Sequence, residues 1–413
     1  MTRTRVAAAA AALGVGSLVL GACGASPERA ERLDPDVAFV GAVDPGWRGE
    51  PMVDASGRLA VRLLDQADGN AVVSPISLQL ALALLREGAS GGVADDIDAA
   101  AGLSGRSEDV ADLRAMLARY EGDVAGIDPD EPPAEPLLHL ADSVFVQPDS
   151  GVERAFLERV GRYHAAHVYA ADFAGGDAKP ALDAWVKEET GGLLDSCPVQ
   201  PDAQTVLVLM NAVTFGASWL SPFDPGATSD APFTRADGST VDVETMHQEL
   251  GVPYAAGDGW VAARLPYTAG FALQVLLPDD GVAPATAWMA AASALATGET
   301  TNVRLSMPTW RTDTTLDLTD ALGDLGLASL ADPRGGLDEV FPQAYVAAVA
   351  QGATITVAEK GTVAAAVTAM GLADAAAPQD AVELRLDHPF EYRVVEESTG
   401  LVLFAGRVAD PSV

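Results

Sequence analysis

The side chains with the most chemistry to offer in this 413-residue chain are five histidines and two cysteines, and their spacing supplies no catalytic set. His164-Ala-Ala-His167 would put two imidazoles near one helix face and make half of a metal site. No His-Glu-x-x-His accompanies them, so both are expected as surface histidines and no metal is expected. His139, His247 and His388 are isolated in sequence. A hydrolase would need a nucleophile in a defined setting. Gly88-Ala-Ser-Gly91 lacks the spacing of a nucleophile elbow. The positions three before Lys179, Lys187 and Lys360 are Gly176, Ala184 and Val357, which excludes a Ser-x-x-Lys site. Cys197, in Asp195-Ser-Cys-Pro198, has no placed histidine base and reads as an unpaired structural thiol in a loop. The chain has 59 Asp and Glu, so a carboxylate pair alone is no sign of acid–base catalysis. No enzyme activity and no cofactor are expected.

Another pattern is legible near the C-terminus, that of a potential strand attached to a loop. Val346 to Val357 is apolar and β-prone and reads as a strand. Glu359-Lys360-Gly361 interrupts it. From Thr362 through Val363, Ala364, Ala365, Ala366, Val367, Thr368 and Ala369 no side chain is long or charged. At a period of two, Thr362, Ala364, Ala366 and Thr368 share one face, small enough to enter a packed core without burying a charge. Then Gly371, Asp374 and Ala375-Ala-Ala-Pro-Gln-Asp380 follow, which is loop chemistry. A segment able to be strand or loop needs a sheet able to accept it.

The elements that must position this stretch divide into early helices and late strands, which argues for an α+β fold. A helix begins near Met52, with Ala55, Leu59, Leu63 and Leu64 as its apolar stripe. Further helices are expected over Ser77–Glu87, closed by Gly88, and over 113–120, 151–166, 177–190, 283–297 and 316–325. Thr205 to Phe215 is almost continuously apolar, a strand buried on both faces. Strand-like runs fill residues 242–277, and Phe390–Glu396 with Gly400–Arg407 forms a terminal hairpin. The 49% apolar content and mean hydropathy of +0.16 belong to a globular chain. The formal net charge of −34 disfavours nucleic acid and anionic lipid head groups as partners.

The N-terminus carries a leader. Met1 to Arg5 is basic, Val6 to Leu20 is apolar and too short to span a membrane, and Leu20-Gly-Ala-Cys23 follows. This resembles a bacterial lipoprotein processing site, with residues 1–22 removed and Cys23 lipidated. The alternative is an ordinary signal peptide with a chance cysteine. Residues 23–50, with Pro27, Pro35 and Pro45, are expected to be a flexible spacer before one domain over 51–413. The domain would then sit at the outer face of a bacterial membrane, on its extracellular or periplasmic side.

Several spaced motifs, in order from Asn70 to Pro411, resemble the serpin family. They are Asn70-Ala-Val-Val-Ser-Pro-Ile-Ser-Leu78, Leu140-Ala-Asp-Ser-Val-Phe145, Val168-Tyr-Ala-Ala-Asp-Phe173, Trp185-Val, Thr190-Gly-Gly-Leu-Leu194, Leu207 to Phe215 with Trp219, Leu265-Pro-Tyr267, Leu276-Leu-Pro278, Asp387-His-Pro-Phe390 and Leu403-Phe-Ala-Gly-Arg407. The resemblance implies helices packed around a large mixed sheet plus two smaller sheets, with an exposed reactive-centre loop over about 359–383. It implies a covalent acyl-enzyme partner, a serine protease, and a monomer. In the family frame Glu359, Gly361, Thr362, Ala364, Ala366 and Thr368 form the hinge, and all the inward residues are small, as in inhibitory members. A non-inhibitory member, or a lipoprotein with a binding role only, is the alternative. With Glu359 as the first of seventeen residues, the scissile bond is Ala375–Ala376, and Ala376 or Ala377 would also present an alanine carbonyl. A methyl suits a shallow, elastase-like or subtilisin-like specificity pocket. Ser74, Ser77 and Asn211 match the shutter where the sheet parts, Gln351 stands where the family usually has histidine, and Trp219 matches the breach tryptophan under the hinge. With three lysines in all, no glycosaminoglycan site is expected.

Overall fold

The computed structural model describes residues 30–42, 49–125, 127–128, 131–332, 335–362 and 381–413. In chain order the strands and helices are β1 Glu31–Arg32, α1 Glu50–Leu64, β2 Ala71–Val73, α2 Pro75–Arg86, α3 Gly91–Ala101, α4 Ser107–Leu117, β3 Leu137–Val146, α5 Arg154–Arg159, β4 His167–Ala170, α6 Ala178–Glu189 and β5 Leu207–Ser218. There follow β6 Ser229–Thr234, β7 Thr240–Gly257, β8 Trp260–Pro266, β9 Phe271–Pro278, α7 Pro284–Thr297, β10 Thr300–Pro308, β11 Trp310–Asp317, β12 Ala348–Ala358, β13 Gly361–Thr362, β14 Val382–Arg385, β15 Phe390–Glu396 and β16 Val402–Val408. No helix among the described residues is long and apolar enough to cross a membrane.

Two sheets organise the molecule. The first has seven strands in the order β1-β4-β3-β5-β13-β12-β11 and is mixed, since β3–β4 and β5–β12 run parallel. The second is a nine-stranded network in which the long β7 joins two smaller sheets into one continuous ladder. Helix α2 lies at the centre. Its residues from Pro75 to Leu85 are all buried, so it is apolar on every side, as a core helix must be. It starts at Pro75, before the expected Ser77, because Ser74 is the cap. The Ser74 hydroxyl accepts from Ser77 N–H, and proline at the first position loses no helical hydrogen bond. Helix α6 crosses the outer face of the first sheet, where Leu182, Trp185 and Val186 pack on Phe145, Val208 and Met210.

Some expectations give way. The region 316–325 is not a helix: Leu316 and Asp317 end β11, and only a 3-10 turn, Asp320–Leu322, follows before Gly323. The helix over 151–166 shrinks to α5 and a π-helical turn, Val160–His164, ended by Ala165 in a left-handed conformation. Helix α3 was not anticipated. Its buried stripe of Val93, Ala94, Ile97 and Ala101 is helical in spacing, but Gly91-Gly92 at its start hides the signal. His164 and His167 do not share a helix face. His164 is wholly buried at the end of the π turn, and His167 opens β4.

Part of the expected spacer belongs to the domain. β1 pairs with the edge strand β4, and Leu33 N–H donates to Val168 O at 2.8 Å. The buried Asp34 carboxylate accepts from Val168 N–H at 3.0 Å and from Arg32 Nε at 2.9 Å, and faces His167 Nδ1 at 3.2 Å. Burial alone would raise its pKa, but these donors together pull it down to about 2. Asp34→Ala is therefore expected to lower stability by about 1–3 kcal/mol by stranding the Val168 N–H. A depressed folded pKa gives stability that is present above the ordinary 3.8 and lost as pH falls through about 2. Urea midpoints of wild type and variant should thus converge below pH 3.8, and a gap independent of pH would refute the role of the carboxylate.

Candidate functional site

Strand β12 ends at Ala358, turns through Glu359-Lys360, and comes back as β13 between β12 and β5. Val357 pairs with Thr362 and Ala358 with Gly361 on one side. Gly361 pairs with Ser218 and Thr362 with Ala217 on the other. Gly361 and Thr362, the first residue of the small-residue stretch, are thus already a strand of the first sheet. Gly361 has no room for a side chain, since a Cβ there would lie 2.2 Å from Ala217 O and 2.8 Å from Ser218 Cα. Thr362 is fully buried, and its hydroxyl bonds the Tyr267 hydroxyl. Burial raises the Tyr267 pKa, which keeps that hydroxyl neutral and able to donate.

The turn is clasped from β5 and its continuation. Trp219 N–H donates to Lys360 O at 2.9 Å, and its indole Nε1–H donates to Ala358 O at 2.9 Å. The indole stacks on Tyr267 with centroids 4.4 Å apart and planes inclined by 7°. Phe223 N–H donates to Glu359 O at 2.8 Å, and Thr228 Oγ1 donates to the Glu359 carboxylate at 2.8 Å. Below this clasp β5 and β12 are not laddered to each other until Ala348–Val208 and Val349–Leu209, among the described residues. From Leu209 to Ala217 β5 runs about 26 Å.

At that lower level α2 ties both sides of the seam. On β12, Gln351 Oε1 accepts from Ser74 N–H at 2.9 Å, and Gln351 Nε2 donates to Ser74 O at 2.8 Å. Ser74 Oγ donates to Leu403 O at 2.7 Å. On β5, Asn211 bonds the Ser77 hydroxyl and, through its amide nitrogen, Asp142 of β3. The amide of Gln351 therefore matches both backbone groups of Ser74 without titrating.

Residues that sequence reasoning missed complete this arrangement. Asp142 pairs with Arg114 of α4, and both are buried. Burial lowers the Arg114 pKa to about 10, which leaves it charged at neutral pH. Its signal was present: Val110, Leu113, Arg114 and Leu117 follow helical spacing, so Arg114 occupies an apolar stripe. His139, on β3, is bonded to Glu121 and to Glu189 at the end of α6. Glu121 and then Glu189 raise its pKa to about 9. His164 Nε2 donates to Glu87 at 3.1 Å, and its burial depresses its pKa, so the imidazole is neutral. Cys197 is buried with Sγ 3.6 Å from Met210 Sδ, and burial raises its thiol pKa to about 11, too high for a nucleophile. His388 donates to Pro278 O at 3.1 Å beside Asp387. The described residues contain no cluster suited to a metal ion.

Thr362, Gly361, Glu359, Trp219, Ser74, Ser77, Asn211 and Gln351 are thus brought to one seam. Ala364, Ala366, Thr368, Ala375, Ala376 and Cys23 lie outside the described residues.

A family model described as Serpin (serine protease inhibitor) matches residues 54–411. Serpin-ZXA of Oryza sativa subsp. japonica is 30% identical, over 84% of this chain and 91% of its own length. A serpin-like protein of Thermococcus kodakarensis is 29% identical, over 88% of this chain and 86% of its own. The solved structure of tengpin, a thermophilic serpin in the native state, superimposes with a TM-score of 0.76 at 22% identity, covering 92% of this chain and all of that one. An Arabidopsis serpin in its native stressed conformation gives 0.76 at 24% identity, covering 90% of this chain and 100% of its own.

The raised pKa of His139 makes one contribution to stability fade in alkali. A folded pKa above the unfolded 6.5 gives stability fully present below 6.5 and lost as pH rises through about 9. The gap in urea midpoint between wild type and His139→Gln should narrow steadily across that window. A gap that is constant, or widest at pH 9, would show that the ion pairs do not hold the end of α6 to β3.

Proposed function

The chain belongs to the serpin family, and on that premise we propose that it inhibits serine endopeptidases as a suicide substrate. Serpins are mostly inhibitors that bind serine proteases, and some members do not inhibit. The observation that carries the inhibitory reading here is the seat of Gly361 and Thr362 between β5 and β12. A strand has begun at the place where a longer one would have to continue. The protease serine attacks the carbonyl of Ala375, its proton passes to the protease's own base, and the bond to Ala376 nitrogen breaks as that nitrogen takes up the proton. The serine is left as an ester of Ala375. The segment between Thr362 and Ala375 is then free to lengthen β13 and complete the ladder along the seam. Thr362, Ala364, Ala366 and Thr368 supply its inward face. Insertion draws the protease away from its starting position before the ester is hydrolysed. The non-inhibitory reading differs in one outcome: cleavage without a lasting ester.

The seated Thr362 makes its replacement informative. An arginine at 362 would have to bury a guanidinium between β5 and β12, at a cost of several kcal/mol. The variant should be cut by an elastase-like or subtilisin-like protease as fast as wild type, at Ala375–Ala376, yielding a 376–413 fragment that separates under denaturing conditions. It should form at least about tenfold less SDS-stable adduct, because about 1.4 kcal/mol of added insertion barrier is tenfold in the race with deacylation. Wild-type adduct yield from Thr362→Arg would overturn the insertion mechanism. A first cut elsewhere, read by mass spectrometry, would overturn the assigned bond.

We further propose that Cys23 is lipidated and holds the domain at the outer face of the cell membrane. The basic and apolar leader before Leu20-Gly-Ala-Cys23 supports this reading. Cys23→Ala should leave the precursor uncut or release the protein from the membrane fraction. Unchanged membrane attachment would refute it.

A further inference from the structure

The connection between α4 and β3 has the composition of a plain surface loop. From Glu121 to Pro136 it holds six acidic residues, four prolines and no base. Its described residues are nonetheless anchored. Val124 and Pro132 are buried, and each marks a place where the connection rests on another element.

The first place is the end of α6. Gly191 lies two residues beyond that helix in a left-handed conformation, φ 61°. A Cβ there would strike Val124 O and lie 3.0 Å from Ile127 Cγ2, so glycine serves both the turn and the close approach. Glu121 adds a bond to His139, whose other ring nitrogen is 2.9 Å from the Glu189 carboxylate of α6.

The second place is the root of the proposed reactive loop. Thr362 points inward onto Tyr267, so Gly361 faces the outer side of the sheet. Pro132 covers that side: a Cβ at Gly361 would be 2.9 Å from Pro132 Cγ. Ser218, the β5 residue paired with Gly361, donates from Oγ to Pro133 O at 3.1 Å. Glu131 faces Lys360 at 3.7 Å, with both side chains about half exposed. Strand β13 is thus gripped from within by Tyr267 and from without by Glu131-Pro132-Pro133. Each outer contact is weak alone. A strand of two residues has few bonds of its own, so small contributions decide whether it stays seated. The prolines have little backbone freedom left to lose in holding their place.

We propose that Glu131, Pro132 and Pro133 are positioning residues that keep Gly361 and Thr362 seated in the first sheet, and that Val124 and Ile127 tie this strap to the end of α6. The geometry stands by itself, and the consequence for inhibition rests on the inhibitory reading. A seated root has already met the entropic cost of closing the loop onto the seam, so the segment after Thr362 lengthens an existing strand. A released root must first find the seam again, and hydrolysis of the ester gains that time.

The test is hydrogen exchange in the full chain, read by mass spectrometry on peptides spanning Gly361 and Thr362. Ser218→Ala removes the bond to Pro133, and Glu131→Arg sets two cations against each other. The double variant should exchange there about tenfold faster, the size of one hydrogen bond together with a reversed ion pair. Ser218→Thr, which keeps the hydroxyl, should stay within about twofold of wild type. So should Glu131→Arg combined with Lys360→Glu, which restores the attraction. General loss of stability would not be rescued in this way. With an elastase-like or subtilisin-like protease, the double variant should form about threefold less adduct per molecule cut. Wild-type exchange in the double variant, or failure of the two rescues, would overturn the strap whatever the protease does. Faster exchange with an unchanged adduct yield would overturn its part in inhibition. Wild type that is cut and forms no adduct would overturn the inhibitory reading, and the exchange rates would still decide whether the strap holds the root.

Discussion

A backbone ladder that, among the described residues, is incomplete along the seam between β5 and β12 is the constraint on which the rest of the structure depends. Every non-proline residue carries an N–H and a C=O that must find partners when buried. At one end of the seam β5 and β12 meet directly, at Val208–Ala348 and Leu209–Val349. At the other end β13 stands between them. Helix α2 underlies the interval, with Ser74 on Gln351 and Ser77 on Asn211. Each such bond is worth only about 1 kcal/mol net. It is also directional, so it can be exchanged singly for a bond of the same kind. An apolar contact of similar strength would fix the spacing of the two strands less sharply and would have to be lost all at once.

The side chains of the hinge follow from the same constraint. Alanine loses no rotamer entropy on burial, and threonine little. A strand built from them gains little from apolar burial as well, since a methyl group covers little surface. On the proposed mechanism, what remains as the driving term is backbone pairing on both sides together with closure of the seam. Gly361 marks where this logic is tightest, because the approach of Ala217 O leaves no space even for a Cβ. Trp219 and Tyr267 then do what the hinge side chains cannot. They supply the bulk and the hydrogen bonds that hold a nearly featureless segment in register.

Much of this was legible in the sequence because it is carried by local pattern. The strand before Ala358, the break at Glu359-Lys360, the small-residue face from Thr362 and the apolar run of β5 depend on neighbours in the chain. What escaped depends on partners far away in sequence. Asp142 is unremarkable singly, and although Arg114 stands in an apolar stripe, only the pairing of α4 with β3 makes the two a buried ion pair. His164 was expected at the surface, since no local rule says that a π-helical turn would carry it inward onto Glu87. Residues 30–42 looked like spacer by composition, yet the edge of β4 offers unpaired backbone groups, and β1 meets them. Helix α3 was lost to its opening glycines, and the region 316–325 was misjudged because leucine spacing there serves β11 and a short turn.

The buried polar groups also determine which conditions the seam responds to. A histidine at position 351 would change charge between about pH 5 and 8. Gln351 does not, yet its amide reproduces both bonds to Ser74, one accepted and one donated. Asn211 is held in turn by Asp142, whose charge is balanced by an arginine that burial brings down only to about 10. Within this line Asn211, Gln351 and the two serines carry no proton that titrates near neutral pH, and Arg114 stays charged. The titrating side chain nearby is His139, which ties the end of α6 to β3 and not β5 to β12, and it stays charged until about pH 9. On the proposed mechanism, the Gln351 and Asn211 contacts across the seam do not themselves respond to moderate changes in acidity.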